Sequence, residues 1–157
     1  MSKQPPYRYH TRVRLPDFTF VHPLRVRWAE CDPQSVVFNA NYFAYFDVAT
    51  TEYWRTIGFR YPEDALVDGN DLFAVKATAE FHAPARYDDV LALRTRVARL
   101  GRSSMRFELA IHRDGTHLTT GELIYVNADP KTHTSRPLPE RLVAAVLRYE
   151  QTAPERA

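Results

Sequence analysis

Along this chain the spacing of apolar positions switches from every second residue to every third or fourth, and then back. Leu24, Val26 and Trp28 alternate with Arg25 and Arg27, which predicts a half-buried strand. The run from Ala29 to Gln34 breaks that pattern, and Pro33 keeps Asp32 out of helical geometry, so a loop is expected. Over residues 41–57 the spacing is helical: Tyr42, Tyr45, Phe46, Ala49, Tyr53 and Ile57 form one stripe, with Asn41, Asp47, Thr51 and Arg55 off it. Asn39 or Asn41 suits the N-cap and Gly58 the C-terminal stop. So many aromatic residues predict a largely buried helix.

From Leu72 onward the period of two returns. Phe73, Val75, Ala77, Ala79 and Phe81 are expected on one face, opposite Lys76, Thr78, Glu80 and His82. Beyond Pro84 and an Asp88-Asp89 turn, Leu91, Leu93, Thr95 and Val97 alternate with arginines. Beyond Gly101, Met105, Phe107, Leu109 and Ile111 do so with polar residues. Asp114-Gly115 between two alternating runs signals a hairpin. A last long strand is predicted over residues 116–127 and a closing helix over 137–150. The expected class is α+β, one antiparallel sheet with a single long helix on one face. An uncovered sheet face and edge imply at least a homodimer, with a homotetramer equally open.

Composition narrows the function classes. A length of 157 residues suits one domain. Residues 1–17, with three of the eleven prolines, read as a loose arm, 18–150 as a single domain and 151–157 as a frayed end. A net charge of +2 is too small to argue for nucleic acid or a membrane surface as partner. No apolar run approaches the roughly 18 residues of a membrane span, and the N-terminus lacks a signal-peptide core, so a cytoplasmic protein is expected. Cys31 is the single cysteine, which excludes an internal disulfide. His22, His82, His112, His117 and His133 show no metal-ligand spacing, and no metal is expected.

Candidate chemistry concentrates in Asp32-Pro33-Gln34-Ser35-Val36-Val37-Phe38-Asn39-Ala40-Asn41-Tyr42. An acid in a loop is followed by an apolar step and then a helix start. The N–H groups of that start point outward with partial positive charge and suit an oxyanion. Asp32 suits a nucleophile or a general base for water. On spacing alone an Asp before Pro reads first as a turn residue.

The same segment resembles the signature of the hotdog-fold hydroxybenzoyl-CoA and acyl-CoA thioesterases: an Asp, a few short residues, a Val-Val pair, then a pair such as Asn-Tyr opening the central helix. Phe46 to Tyr53 is similar to the family's central helix, Phe81 to Asp89 to its strand-to-turn motif, and Leu100 to Phe107 to a later turn. The resemblance covers residues 18–150 in order. It implies a hotdog fold, a sheet of about five strands wrapped around one long helix. It also implies hydrolysis of an acyl-CoA thioester with Asp32 as the catalytic carboxylate and the backbone N–H near Asn39 on the thioester carbonyl. Ser35, Val37, Phe38 and Tyr42 would border the substrate. Arg102, Ser103 and Ser104 would meet the phosphates or pantetheine arm, contacts that suit a guanidinium and hydroxyls. CoA enters as part of the substrate, and no cofactor is implied.

One departure stands out: Ser35 occupies a position where the family usually has Gly, whose backbone freedom Ser lacks. Ser35 is therefore the support for an alternative reading, a hotdog protein that binds an acyl thioester or another ligand without cleaving it. A hydratase ranks behind both, because no His lies within six residues of Asp32. Cys31 reads as a small packed residue, Glu52 as a helix ion-pair partner before a catalytic acid, and Lys76 and Arg86 as solvated charges before phosphate ligands.

Overall fold

A computed structural model describes residues 14–157, so most of the expected N-terminal arm lies outside the described residues. Five long strands form an antiparallel sheet in the order β1-β3-β4-β5-β2: β1 Phe20–Arg25, β2 Asp71–Phe81, β3 Val90–Leu100, β4 Ser104–Arg113 and β5 Thr116–Ala128. The long helix α1, Asn41–Thr56, lies on one face of this sheet, and α2, Glu140–Tyr149, follows β5. This is the expected hotdog arrangement.

The helical stripe read from the sequence is the buried one: Tyr42, Tyr45, Phe46, Ala49, Tyr53 and Ile57 all enter the core with Leu91, Leu93, Phe107 and Leu109 of the sheet. The helix approaches β5 closely at Gly121, where a Cβ would come within 2.4 Å of the Phe46 ring. Gly58 closes α1 at φ +77°, and Asp114 and Gly115 turn the β4–β5 hairpin at φ +47° and +79°. Both are backbone shapes the sequence demanded.

Four expectations are corrected. The first strand sits earlier than predicted, and Trp28 is not in it: Trp28–Glu30 is a short 3₁₀ turn, closed by Arg27 and Glu30, with Trp28 76% exposed. Local side-chain hydrogen bonds there outcompete the strand. The N-cap of α1 is Ala40 without a side-chain cap, because Asn41 turns its amide to the Glu30 carbonyl, 2.8 Å away. A bulge at Val75 divides β2: Ala77, Ala79 and Phe81 pair opposite Leu123, Gly121 and Thr119, whereas Phe73 pairs with Val126 and turns to the other face. Lastly, the C-terminal residues are held rather than frayed. β6, Glu155–Arg156, pairs in parallel with Arg99 and Leu100, and the Ala157 N–H donates to the Leu100 carbonyl at 3.2 Å.

Candidate active site

The segment between β1 and α1 is a pinched loop. Cys31 and Val37 form an antiparallel bridge at its neck. Inside it the Asp32 N–H donates to the Val36 carbonyl at 2.9 Å and the Ser35 N–H to the Asp32 carbonyl at 2.9 Å. The Gln34 N–H donates to Asp32 Oδ1 at 2.8 Å, an Asx turn that leaves Oδ2 unengaged among the described residues. Asp32 is half-buried, and Pro33, Gln34 and Ser35 are exposed. Ser35 adopts φ +60°, so the loop keeps the left-handed shape that Gly favours despite the side chain.

Beyond the neck, Val37 is buried and donates its N–H to the Ala85 carbonyl at 2.8 Å. Phe38 is exposed and donates to the Glu30 carbonyl at 2.9 Å. The Asn41 N–H is spent on Phe38 and that of Tyr42 on Asn39. Among the described residues, no hydrogen bond uses the N–H of Asn39 or of Ala40. These two exposed amides at the helix start are the free donors of the site. Tyr42 lies beneath them, buried, with its hydroxyl accepting the Ala85 N–H at 3.1 Å, so it supports the loop rather than facing solvent.

Glu30, which sequence reasoning passed over, is buried at this neck. Burial alone would raise its carboxyl, but hydrogen bonds from the Arg27 N–H, the Tyr45 hydroxyl and the Arg27 guanidinium outweigh it and hold the group below its ordinary value. The signal in the sequence was the pair Arg27 and Glu30, three residues apart.

The other candidates are dispersed. Arg102, Ser103 and Ser104 form the β3–β4 turn at the opposite end of the sheet, and the 11 residues of β3 put roughly 30 Å between that turn and the Asp32 loop. Glu52 pairs with Arg55 on α1. Lys76 pairs with Glu122 at 2.7 Å, while Arg86 reaches the Ser35 carbonyl at 3.4 Å and so borders the loop. Cys31 is half-buried and free. A cleft of about 620 Å³ flanks the C-terminal half of α1, with Trp54, Phe59, Tyr61, Leu72 and Tyr125 as apolar lining and Asp47, Thr51 and Arg55 at its polar edge. Among the described residues no group of three His, Cys, Asp or Glu is placed to hold a metal ion, and no helix is long and apolar enough to cross a membrane.

Residues 34–120 match the sequence model of the thioesterase superfamily, a span that begins two residues after Asp32. The chain is 34% identical over 127 residues to the acyl-CoA thioester hydrolase YbgC of Escherichia coli O6:H1, covering 80% of this chain and 93% of that protein. It is 33% identical over 100 residues to the acyl-CoA thioesterase YbgC of Haemophilus influenzae, 62% of this chain and 72% of that one. Among solved structures, a thioesterase superfamily protein from Jannaschia sp. CCS1 superposes with a TM-score of 0.78 at 22% identity, covering 89% of this chain and 98% of that one. The 1,4-dihydroxy-2-naphthoyl-CoA thioesterase Slr0204 from Synechocystis gives 0.75 at 19%, covering 81% and 94%. At those identities the structural likeness speaks for the fold.

Proposed function

The chain belongs to the thioesterase superfamily, and on that premise we propose that it hydrolyses acyl-CoA thioesters to a free acid and CoA, with Asp32 as the catalytic carboxylate. One observation carries the site: a half-buried carboxylate with an unengaged oxygen stands in a pinched loop that leads straight to two unspent helix-start amides, those of Asn39 and Ala40. Developing negative charge on the thioester oxygen would be met by those amides, reinforced by the helix dipole. Asp32 then either attacks the carbonyl carbon, expelling the CoA thiolate and leaving an anhydride for water to open, or takes a proton from the attacking water. Exposed Phe38 offers the acyl group an apolar surface beside the helix start.

Arg102, Ser103 and Ser104 are read as contacts for the CoA phosphates or pantetheine. Their distance from Asp32 within one chain favours a second copy as the source of that turn. β2 is an edge strand with Phe73, Val75 and Phe81 exposed, a surface suited to pairing with another copy as a homodimer or a homotetramer. The protein is taken as cytoplasmic, since its single thiol requires no oxidising compartment.

Release of free thiol from a panel of short, long and aromatic acyl-CoA substrates tests the reading. The wild-type chain should turn over at least one class, and Asp32→Asn should lose about 10²- to 10⁴-fold in kcat with the circular dichroism unchanged. A folded Asp32→Asn protein with wild-type turnover would discard the assignment. Label found in the Asp32 carboxylate after a single turnover in ¹⁸O-water establishes the nucleophilic role, since a general base acquires none, and trapping of the acyl group on Asp32 by hydroxylamine reports the anhydride whichever carbonyl water attacks. Light scattering on Val75→Asp checks the edge: the mass per particle should fall.

A further inference from the structure

Glu30 sits two residues before Asp32, outside the chemistry assigned so far, and is 8% exposed. Its carboxylate accepts the Arg27 N–H at 2.8 Å, Arg27 Nε–H at 2.8 Å and the Tyr45 hydroxyl at 2.8 Å. Its carbonyl accepts the Phe38 N–H at 2.9 Å and Asn41 Nδ2 at 2.8 Å. The donors come from three separate pieces of chain: the strand exit at Arg27, the far side of the loop at Phe38 and Asn41, and the second turn of α1 at Tyr45. Burial and the neighbouring carboxylate both push the Tyr45 hydroxyl up, so it remains a protonated donor across the working range.

A buried ionic group is an inefficient way to stabilise a fold, because apolar residues of the same volume commonly do as well or better. What such a group gives instead is a fixed geometry. Here the fixed parts are the two that thioester cleavage needs at a set separation: the loop that presents Asp32, and the helix start that presents the Asn39 and Ala40 amides. Cutting the carboxylate's hold on Tyr45 would keep the backbone bonds from Phe38 and Asn41, and with them both parts, in place, and let the two drift relative to each other. A drift of an ångström between nucleophile and oxyanion donors acts on the chemical step far more than on substrate capture.

We propose that Glu30 is a positioning residue for the hydrolysis, its carboxylate clamping the Arg27 turn that leads into the Asp32 loop to Tyr45 of α1. The proposal rests on the thioester-hydrolase reading of the Asp32 site. Glu30→Gln and Tyr45→Phe, alone and together, test it beside Asp32→Asn, with kcat, KM and thermal midpoint measured for each. Glu30→Gln should lower kcat about tenfold with KM within twofold of wild type, and Tyr45→Phe should do the same to a lesser degree. The double variant should be no slower than Glu30→Gln alone, since both cut one clamp. Glu30→Ala should be slower than Glu30→Gln, the amide restoring part of the lost contact. Wild-type kcat in folded Glu30→Gln or Tyr45→Phe, with at most a lower thermal midpoint, overturns the proposal and leaves a structural role. If Glu30→Gln does not fold, Tyr45→Phe decides by the same criterion. Full activity in Asp32→Asn, or no turnover by the wild-type chain on any substrate, overturns the parent reading and this proposal together; an inactive Asp32→Asn beside fully active clamp variants overturns this proposal alone.

Discussion

The two ends of the sheet treat their polar groups differently. At the Asp32 end, one carboxylate oxygen and the amides of Asn39 and Ala40 have no partner among the described residues. At the other end the β3–β4 turn is tied to the rest of the fold through its carbonyls: Asn127 donates to the Ser103 carbonyl and Leu138 to the Arg102 carbonyl, and the Gly101 N–H donates to Ser104, each at 2.8 Å. Asn127 Nδ2 reaches the Pro137 carbonyl at 2.7 Å, and β6 pairs with the end of β3 beside it. Unpaired polar groups cost stability unless they are solvated or used, and only the Asp32 end sets an unengaged carboxylate oxygen beside its free amides, so that end is where chemistry is expected. The closed end offers side chains on a rigid frame, chiefly the exposed Arg102.

The sharpest way to break this contrast is to compare turnover and capture. Asp32→Asn is expected to cut kcat about 10²- to 10⁴-fold, whereas Arg102→Ala should raise KM for acyl-CoA about tenfold and leave kcat within twofold, the signature of a charge-assisted phosphate contact. A fall in kcat with unchanged KM for Arg102→Ala would erase the distinction.

Acid should act on the two ends with opposite sign. Near the open end His112 is 6% exposed, stacked on His117 with ring centroids 4.7 Å apart, and burial, then His117 and Arg94, push its pKa down to about 4. The unfolded chain takes up that proton first, so the stability tied to His112 is full above its ordinary value near 6.5 and is lost as pH falls toward 4. The loss should reach about 3 kcal/mol, and His112→Phe should flatten the dependence of the urea midpoint on pH over that window. Beneath the closed end Glu150 accepts the Tyr53 hydroxyl at 2.6 Å and the Val97 N–H at 2.8 Å, and burial raises its pKa. A raised carboxyl contributes stability that is complete below its unfolded pKa and is lost as pH rises through the folded one. Glu150→Gln should therefore raise the unfolding midpoint at pH 8 and leave it unchanged at pH 4. Equal effects at both pH values would reject the argument.

The smallest effect concerns Ser35. Relieving its φ of +60° with Ser35→Gly should stabilise the chain by about 0.5 kcal/mol, after the greater unfolded-state freedom of Gly is set against the strain removed. A lower thermal midpoint would mean that the serine hydroxyl or Cβ holds the loop.

Much of this architecture was legible in the sequence because it depends on local periodicity. The α1 stripe, the alternation in β3, β4 and β5 and the Asp114-Gly115 hairpin each need only residues a few positions apart, and each was read with its boundaries nearly right. The loop at Asp32 and the helix start that follows it were also readable, from Pro33 and the switch to helical spacing. Glu30 was not, because its carboxylate acts through the Tyr45 hydroxyl, 15 residues away. The bulge at Val75, the roughly 30 Å between Asp32 and Arg102 and the anchoring of Glu155 and Arg156 on β3 were likewise invisible. By itself the sequence determined which residues form strands and helix and which face of each is apolar, since those follow from side-chain spacing and backbone preference. Only the tertiary structure decided which polar groups are spent and which are left free, because a hydrogen-bond partner is chosen by distance in space, which the order of residues along the chain does not specify.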